Sequence, residues 1–100
     1  MEQRKLFNKH HGDAPPNAVY IGRGSMWGNQ WEIGKHGTRD EVCDLYEQAA
    51  EIHYPMMKEE FLALYGKPLV CFCYPKRCHG ETLLKYAAKA HEEREPLAFE

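Results

Sequence analysis

The apolar positions of this chain change their spacing from one segment to the next. Residues 1–17 hold few large apolar side chains apart from Leu6 and Phe7. They end in Ala14-Pro15-Pro16-Asn17, which disfavours helix and removes donors from any strand ladder. A flexible N-terminal arm is the expectation there. Ordered chain is expected from Ala18-Val19-Tyr20-Ile21, a short β-prone run closed by Gly22-Arg23-Gly24. A second short strand, Gln30-Trp31-Glu32-Ile33, alternates polar and apolar before Gly34-Lys35-His36-Gly37. Ser25-Met26-Trp27-Gly28-Asn29, between the two, reads as a loop.

Helical spacing takes over after Gly37. Thr38 and Glu41 make a T-x-x-E capping box, each side chain able to satisfy a free amide of the first turn. Val42, Leu45, Tyr46, Ala49 and Ile52 follow on one face. Tyr54-Pro55 should end or kink that helix, and Pro55 suits the first turn of a second helix carrying Met56, Phe61, Leu62 and Leu64. Gly66 is placed to close it. Pro68-Leu69-Val70-Cys71-Phe72-Cys73 reads as a buried strand, and a last helix starting near His79-Gly80 carries Leu83, Leu84, Ala87, Ala88 and His91. The order β-β-α-α-β-α predicts an α+β domain with a small sheet of about three strands and three helices. It is expected to span residues 18–94, with residues 95–100 a frayed acidic tail.

Composition narrows the class. A length of 100 residues with 43% hydrophobic and 28% charged side chains leaves room for one core. No stretch approaches the roughly 20 apolar residues of a membrane span. The polar start, Met1 to Asn8, carries no apolar run like that of a signal peptide, so a cytoplasmic protein with reduced cysteines is expected. A net charge of −2 argues against coating nucleic acid by bulk positive charge, although it leaves local contacts open. That total hides an asymmetry: residues 41–60 carry six acids and one lysine, whereas residues 67–80 carry three bases and no acid.

The basic segment holds the densest candidate chemistry. It runs from a buried strand through a tight turn, Lys76-Arg77-Cys78-His79-Gly80, into a helix N-terminus. A helix N-terminus offers unpaired amides and partial positive charge, hence an anion site. The same field should activate the Cys78 thiol. Cys78 and His79 are therefore catalytic candidates, with Glu81 the nearest carboxylate and a candidate base. Cys71, Cys73, Cys78 and His79 also offer three thiols and an imidazole to zinc. The spacing is unlike the usual knuckles, so no metal is expected and zinc is the weaker alternative.

The second candidate is Tyr20-Ile21-Gly22-Arg23-Gly24-Ser25-Met26-Trp27-Gly28-Asn29. Glycines let a ligand approach the backbone, Arg23 can grip a phosphate in a fork, and Trp27 can stack on a base. Asn29 can orient a base or sugar. Trp31 is read instead as a core aromatic. No helix follows Gly22-x-Gly24, so this is not a dinucleotide fingerprint.

Tyr20-Ile-Gly-Arg, Trp27-Gly-Asn, Ile33-Gly-Lys-x-Gly-Thr-Arg and Cys71-x-Cys-x-Pro-x-x-Cys78-His-Gly together resemble a family of small phage and bacterial proteins catalogued as a domain of unknown function. The likeness covers about residues 18–90. Gln30 stands where proline is usual in that family, and Phe72 where tryptophan is usual. The Trp-Gly-Asn block is also loosely similar to a loop of proteins that handle ADP-ribose-type nucleotides by cutting N-glycosidic bonds. Fold-level likeness does not establish activity.

The resulting expectation is a pocket for a phosphorylated nucleotide, with cleavage or transfer of an N-glycosidic bond as its enzymatic form. Tyr20, Arg23, Ser25, Trp27, Gly28 and Asn29 would line it from one side. Arg39, Cys73, Lys76, Arg77 and Gly80 would line it from the other. The alternative is a non-catalytic counter-defence protein that sequesters a nucleotide signal or inhibits a host protein.

Overall fold

The computed structural model describes residues 5–72 and 76–94. Its sheet is built around the most apolar short run of the chain. Leu69–Cys71 (β3) is buried at all three positions and forms the central strand. Leu6–Asn8 (β1) and Val19–Tyr20 (β2) flank it, both parallel to it, in the order β1-β3-β2. A strand covered on both faces by other elements is expected to read as continuous hydrophobics, and this one does. Register is set by Leu6 and Val19, which both lie opposite Leu69. The ladder runs on past β2, where the Ile21 amide donates to the Val70 carbonyl at 2.9 Å.

Three helices complete the fold among the described residues: Arg39–His53 (α1), Lys58–Leu64 (α2) and Gly80–Glu93 (α3). The order is thus β-β-α-α-β-α in an α+β domain, as the sequence predicts. The capping box forms at both ends, with the Glu41 amide donating to Thr38 Oγ1 at 3.2 Å and the Thr38 amide to Glu41 Oε1 at 2.9 Å. Pro55 sits in a single 3₁₀ turn, Tyr54–Met56, that separates α1 from α2. Gly66, at φ 79°, follows the end of α2.

Two expectations fail here. The segment expected to be a loose arm supplies β1, where Phe7 is buried and Asn8 pairs opposite Cys71. Asn8 also locks the exit of that strand: its Nδ2 donates to the Phe72 carbonyl at 3.3 Å, and its Oδ1 accepts from the His10 amide at 2.9 Å. Conversely, Gln30–Ile33 is not a strand. Its backbone groups are used locally, the Lys35 and His36 amides donating to the Glu32 carbonyl and the Glu32 amide to His36 Nδ1. An isolated bridge from Ile33 to Gly37 is what remains of pairing there. The expected tail, residues 95–100, lies outside the described residues.

Most of the core sits between α2, α3 and the sheet. Phe61 packs against Tyr54, Tyr86 and Trp27, with ring centroids 5.8, 5.6 and 5.1 Å apart. The buried stripe of α3 is Thr82, Leu83, Tyr86, Ala87 and Ala90, so the core faces a line slightly N-terminal of the predicted one. Ile52 and Met56, expected inward, are exposed, and Cys43 and Ala50 face inward on α1 instead.

Candidate functional site

Parallel strands tend to present their ligands in the crevice beyond their carboxyl ends, where the chain turns away into loops and helices. In this fold the carboxyl ends of β2 and β3 open into a cleft of about 360 Å³. One wall is the chain after β2, with Gly22, Arg23, Asn29 and Trp31–Ile33. The facing wall is the turn before α3, Arg77-Cys78-His79, and the first turns of α1 with Arg39, Val42 and Cys43 close the end.

Several expected residues do reach it. Tyr20, at the end of β2, is one of them; Phe72, expected inside a buried strand, is instead exposed just past β3, its ring 5.9 Å from that of Tyr20 and nearly perpendicular to it. Lys9 Nζ lies 4.8 Å from the Tyr20 ring centroid, and His10 lies 4.8 Å from Phe72, so the mouth carries aromatic faces with a cation over one. Arg23 is highly exposed and pairs with Glu32 at 3.4 Å. Arg39 gives one N–H to the Arg77 carbonyl at 3.1 Å and also lines the cleft. Asn29 lines the cleft while acting as a turn former: its Nδ2 donates to the Val42 carbonyl and its Oδ1 accepts from the Trp31 amide.

Others are placed elsewhere, each for a local reason. Trp27 is buried against Phe61, and Tyr46 donates its hydroxyl to the Trp27 carbonyl at 2.8 Å, so it is a core residue rather than a stacking platform. Trp31, read as core, is the tryptophan that lines the cleft. Ser25 closes its own turn, donating to the Gly22 carbonyl at 2.7 Å and accepting from the Trp27 amide. Gly28 also lies outside the cleft; a Cβ there would come within 2.9 Å of the Gly22 carbonyl, so glycine is needed for chain packing. Gly80 is similar, since a Cβ would meet Leu6 Cδ2 at 2.6 Å and Ile21 Cδ1 at 3.0 Å. Lys76 and Glu81 are exposed and do not line the cleft. Cys73 lies outside the described residues.

The Arg77-Cys78-His79 turn is built by interactions that consume its polar groups. Arg77 spends its guanidinium on α1, reaching Asp40 Oδ1 at 3.0 Å and Asp44 Oδ1 at 2.8 Å. Those two carboxylates hold it firmly protonated, Asp44 contributing most. It is a strut between α1 and the start of α3 rather than an available phosphate clamp. The acidic and basic segments of the chain thus neutralise one another here. His79 is buried, with Nε2 2.6 Å from the Ile21 carbonyl; a carbonyl only accepts, so this nitrogen carries the proton. Its ring lies 4.9 Å from Tyr46, whose phenol is pushed well above its ordinary value by burial. Cys78 is buried, 3.4 Å from Cys71 sulfur to sulfur, and accepts from the Gly80 amide at 3.3 Å.

Glu32 went unnoticed in the sequence because it sat inside a presumed strand. Among the described residues it is the carboxylate that lines the cleft, held by Arg23 and, at 3.7 Å, Lys35. No group of three or more His, Cys, Asp or Glu side chains among the described residues is placed to hold a metal ion. No helix among them is long and apolar enough to cross a membrane.

Comparison with known proteins agrees with this architecture in extent. A family model described as Domain of unknown function (DUF4326) matches residues 6–89. The chain is 32% identical over 87 residues to an uncharacterized 12.4 kDa protein of Enterobacteria phage T4, from the nrdA-td intergenic region. That alignment covers 79% of this chain and 72% of the phage protein. No solved structure gives a significant match. The family match begins at Leu6, the first residue of β1, and runs into α3, so it takes in β1, β2, β3 and both walls of the cleft. By that extent of match, the chain belongs to the DUF4326 family, a domain of unknown function.

Proposed function

We propose that the cleft binds a phosphorylated nucleotide, of which ADP-ribose-type ligands are one class, and holds it without turnover. One observation carries the reading: aromatic faces and arginines converge at the carboxyl ends of two parallel strands. Tyr20, Trp31 and Phe72 supply surfaces on which a base can stack, and Arg23 and Arg39 supply charge for a phosphate. The Arg23–Glu32 pair is exposed on both sides, so exchanging the carboxylate for a phosphate costs little. A volume of about 360 Å³ lies at the small end of ligand sites, enough to enclose a mononucleotide-sized moiety. A dinucleotide would extend from it over the exposed Arg23.

Binding without chemistry on the nucleotide is favoured by what two of the three expected catalytic groups are doing. His79 is tied to the Ile21 carbonyl, and Glu81 is outside the cleft. If the ligand were cleaved at an N-glycosidic bond, Glu32 would be the carboxylate available.

Calorimetry and thermal-shift measurements against nucleoside mono- and diphosphates, ADP-ribose, the parent nucleosides and inorganic phosphate test this reading. Binding of phosphorylated nucleotides but not nucleosides is expected. Arg39→Ala should weaken it tenfold or more, about 1.4 kcal/mol. Mass spectrometry should then recover the bound ligand intact. No shift with any nucleotide would overturn the assignment, and a base released from its sugar would replace sequestration with catalysis.

A further inference from the structure

The cleft floor holds a pair of thiols that the nucleotide reading does not use. Cys71 closes β3 and Cys78 precedes α3, and their sulfurs lie 3.4 Å apart, both lining the cleft. Buried cysteines most often pack as small apolar groups. This pair differs in three respects. The two sulfurs touch each other, they border a cavity open to small solutes, and Cys78 Sγ accepts the Gly80 amide at the start of α3. Donation from a helix N-terminus favours a thiolate, the nucleophilic form.

Gly80 is what allows that approach. A Cβ at this position would press on Leu6 and Ile21 and lie 3.3 Å from Cys78 Sγ. Cys43 lies on the same cleft but points its sulfur at the Arg77 carbonyl, 3.8 Å away. The neighbourhood is thus specific for one pairing among the described cysteines.

We propose that Cys71 and Cys78 form a reversible redox dithiol, oxidised by a small hydroperoxide that enters through the cleft. The Cys78 thiolate attacks the distal peroxide oxygen; the O–O bond breaks and its electron pair leaves on the other oxygen, which takes up a proton. Cys78 is then a sulfenic acid. The Cys71 sulfur attacks that sulfur, forming the S–S bond and breaking S–O, and the hydroxyl leaves as water with the Cys71 proton. Two thiols and one hydroperoxide become one disulfide, one alcohol (water, for hydrogen peroxide) and one water. The sulfurs need only close from 3.4 Å to the roughly 2.05 Å of a disulfide. Thiol–disulfide exchange with a dithiol reductant reverses the change. None of this depends on what else the cleft binds.

The test uses the full-length chain, reduced, exposed to hydrogen peroxide, quenched, unfolded and alkylated. Of its four cysteines, two should become unavailable to alkylation. Peptide mapping without reductant should find Cys71 joined to Cys78, and dithiothreitol should restore both. Cys43→Ser should leave that link unchanged, whereas Cys78→Ser should abolish it. Four alkylatable thiols after peroxide, irreversible oxidation of single cysteines, or a link involving Cys43 or Cys73 would overturn the proposal. The wild-type mapping decides the question even if a variant fails to fold.

Discussion

The two ends of this small domain use similar side chains to opposite effect. Around α2 and α3, Trp27, Tyr54, Phe61 and Tyr86 stack ring on ring with little exposure. Around the carboxyl ends of β2 and β3, Tyr20, Trp31 and Phe72 border a cavity beside Arg23 and Arg39. The aromatic core is edged by polar contacts at its rim, Tyr54 Oη to Glu93 and Tyr46 Oη to the Trp27 carbonyl, both at 2.8 Å. The cleft instead leaves Phe72 exposed and Tyr20 and Trp31 half-buried, with its arginines in exposed or shared pairs. An aromatic residue therefore carries no role by type alone; what it packs against assigns the role.

The strongest way to break this contrast is to delete one ring from each end. Phe61→Ala removes a side chain touched by three other rings and should cost about 3–5 kcal/mol. At roughly 4–8 °C per kcal/mol, a fall in Tm of well over about 10 °C is expected, or loss of folding. Phe72→Ala removes a ring that is 45% exposed and should change stability by less than about 1 kcal/mol. Its cost should appear in nucleotide affinity, since stacking of a base is worth about 1–3 kcal/mol. Calorimetric melting of both variants, with titration of the second, separates the ends. Equal destabilisation by the two substitutions would erase the distinction.

How much of this was legible beforehand follows from the range of the interactions involved. The capping box, the Pro55 break, Gly66 and the apolar run Leu69–Cys71 are local features, and each could be read off adjacent residues. Leu6–Asn8 could not, because a three-residue strand is defined by its partner, and that partner lies more than sixty residues away. Nor could the two tryptophans be told apart. They sit four positions apart on an irregular stretch with neither helix nor strand between them, so no period links one to the core and the other to the cleft. Arg77 looked like a phosphate ligand because its own segment is basic, yet its partners, Asp40 and Asp44, come from another helix. Charge asymmetry along the chain became charge pairing in space.

A smaller effect tests the junction between the two ends, where α3 begins against the sheet. Gly80→Ala places a methyl 2.6 Å from Leu6 Cδ2 and 3.0 Å from Ile21 Cδ1. Alanine favours helix over glycine by roughly 1 kcal/mol, but this is the first residue of α3, where that preference counts least. Overpacking at such a site costs about 1–3 kcal/mol, so net destabilisation is expected. Chemical denaturation should show a lower midpoint with an unchanged slope. A stabilised variant would mean that α3 can move off β1 freely, and that the cleft wall is less fixed than the contacts require.

The smallest effect lies at the rim of the aromatic core and depends on pH. The Tyr54 hydroxyl hydrogen bond holds the Glu93 carboxyl below its ordinary 4.5, with help from Lys58. Stability from a depressed carboxyl is present above about pH 4.5 and is lost as pH falls through the lower folded value. On the alkaline side, burial and then Glu93 push the Tyr54 phenol up to about 12. A raised phenol contributes stability that is intact below pH 10 and is lost as pH rises through 12. Glu93→Gln keeps an acceptor for Tyr54 but removes the charge from both equilibria. The wild-type advantage in Tm should therefore be greatest between these limits and shrink towards pH 3 and towards pH 11. Because Glu93 is exposed, the difference should be small even at its maximum. A difference that stays constant across that range would mean the contact acts through packing alone, and the polar rim would then be no different in kind from the rings beneath it.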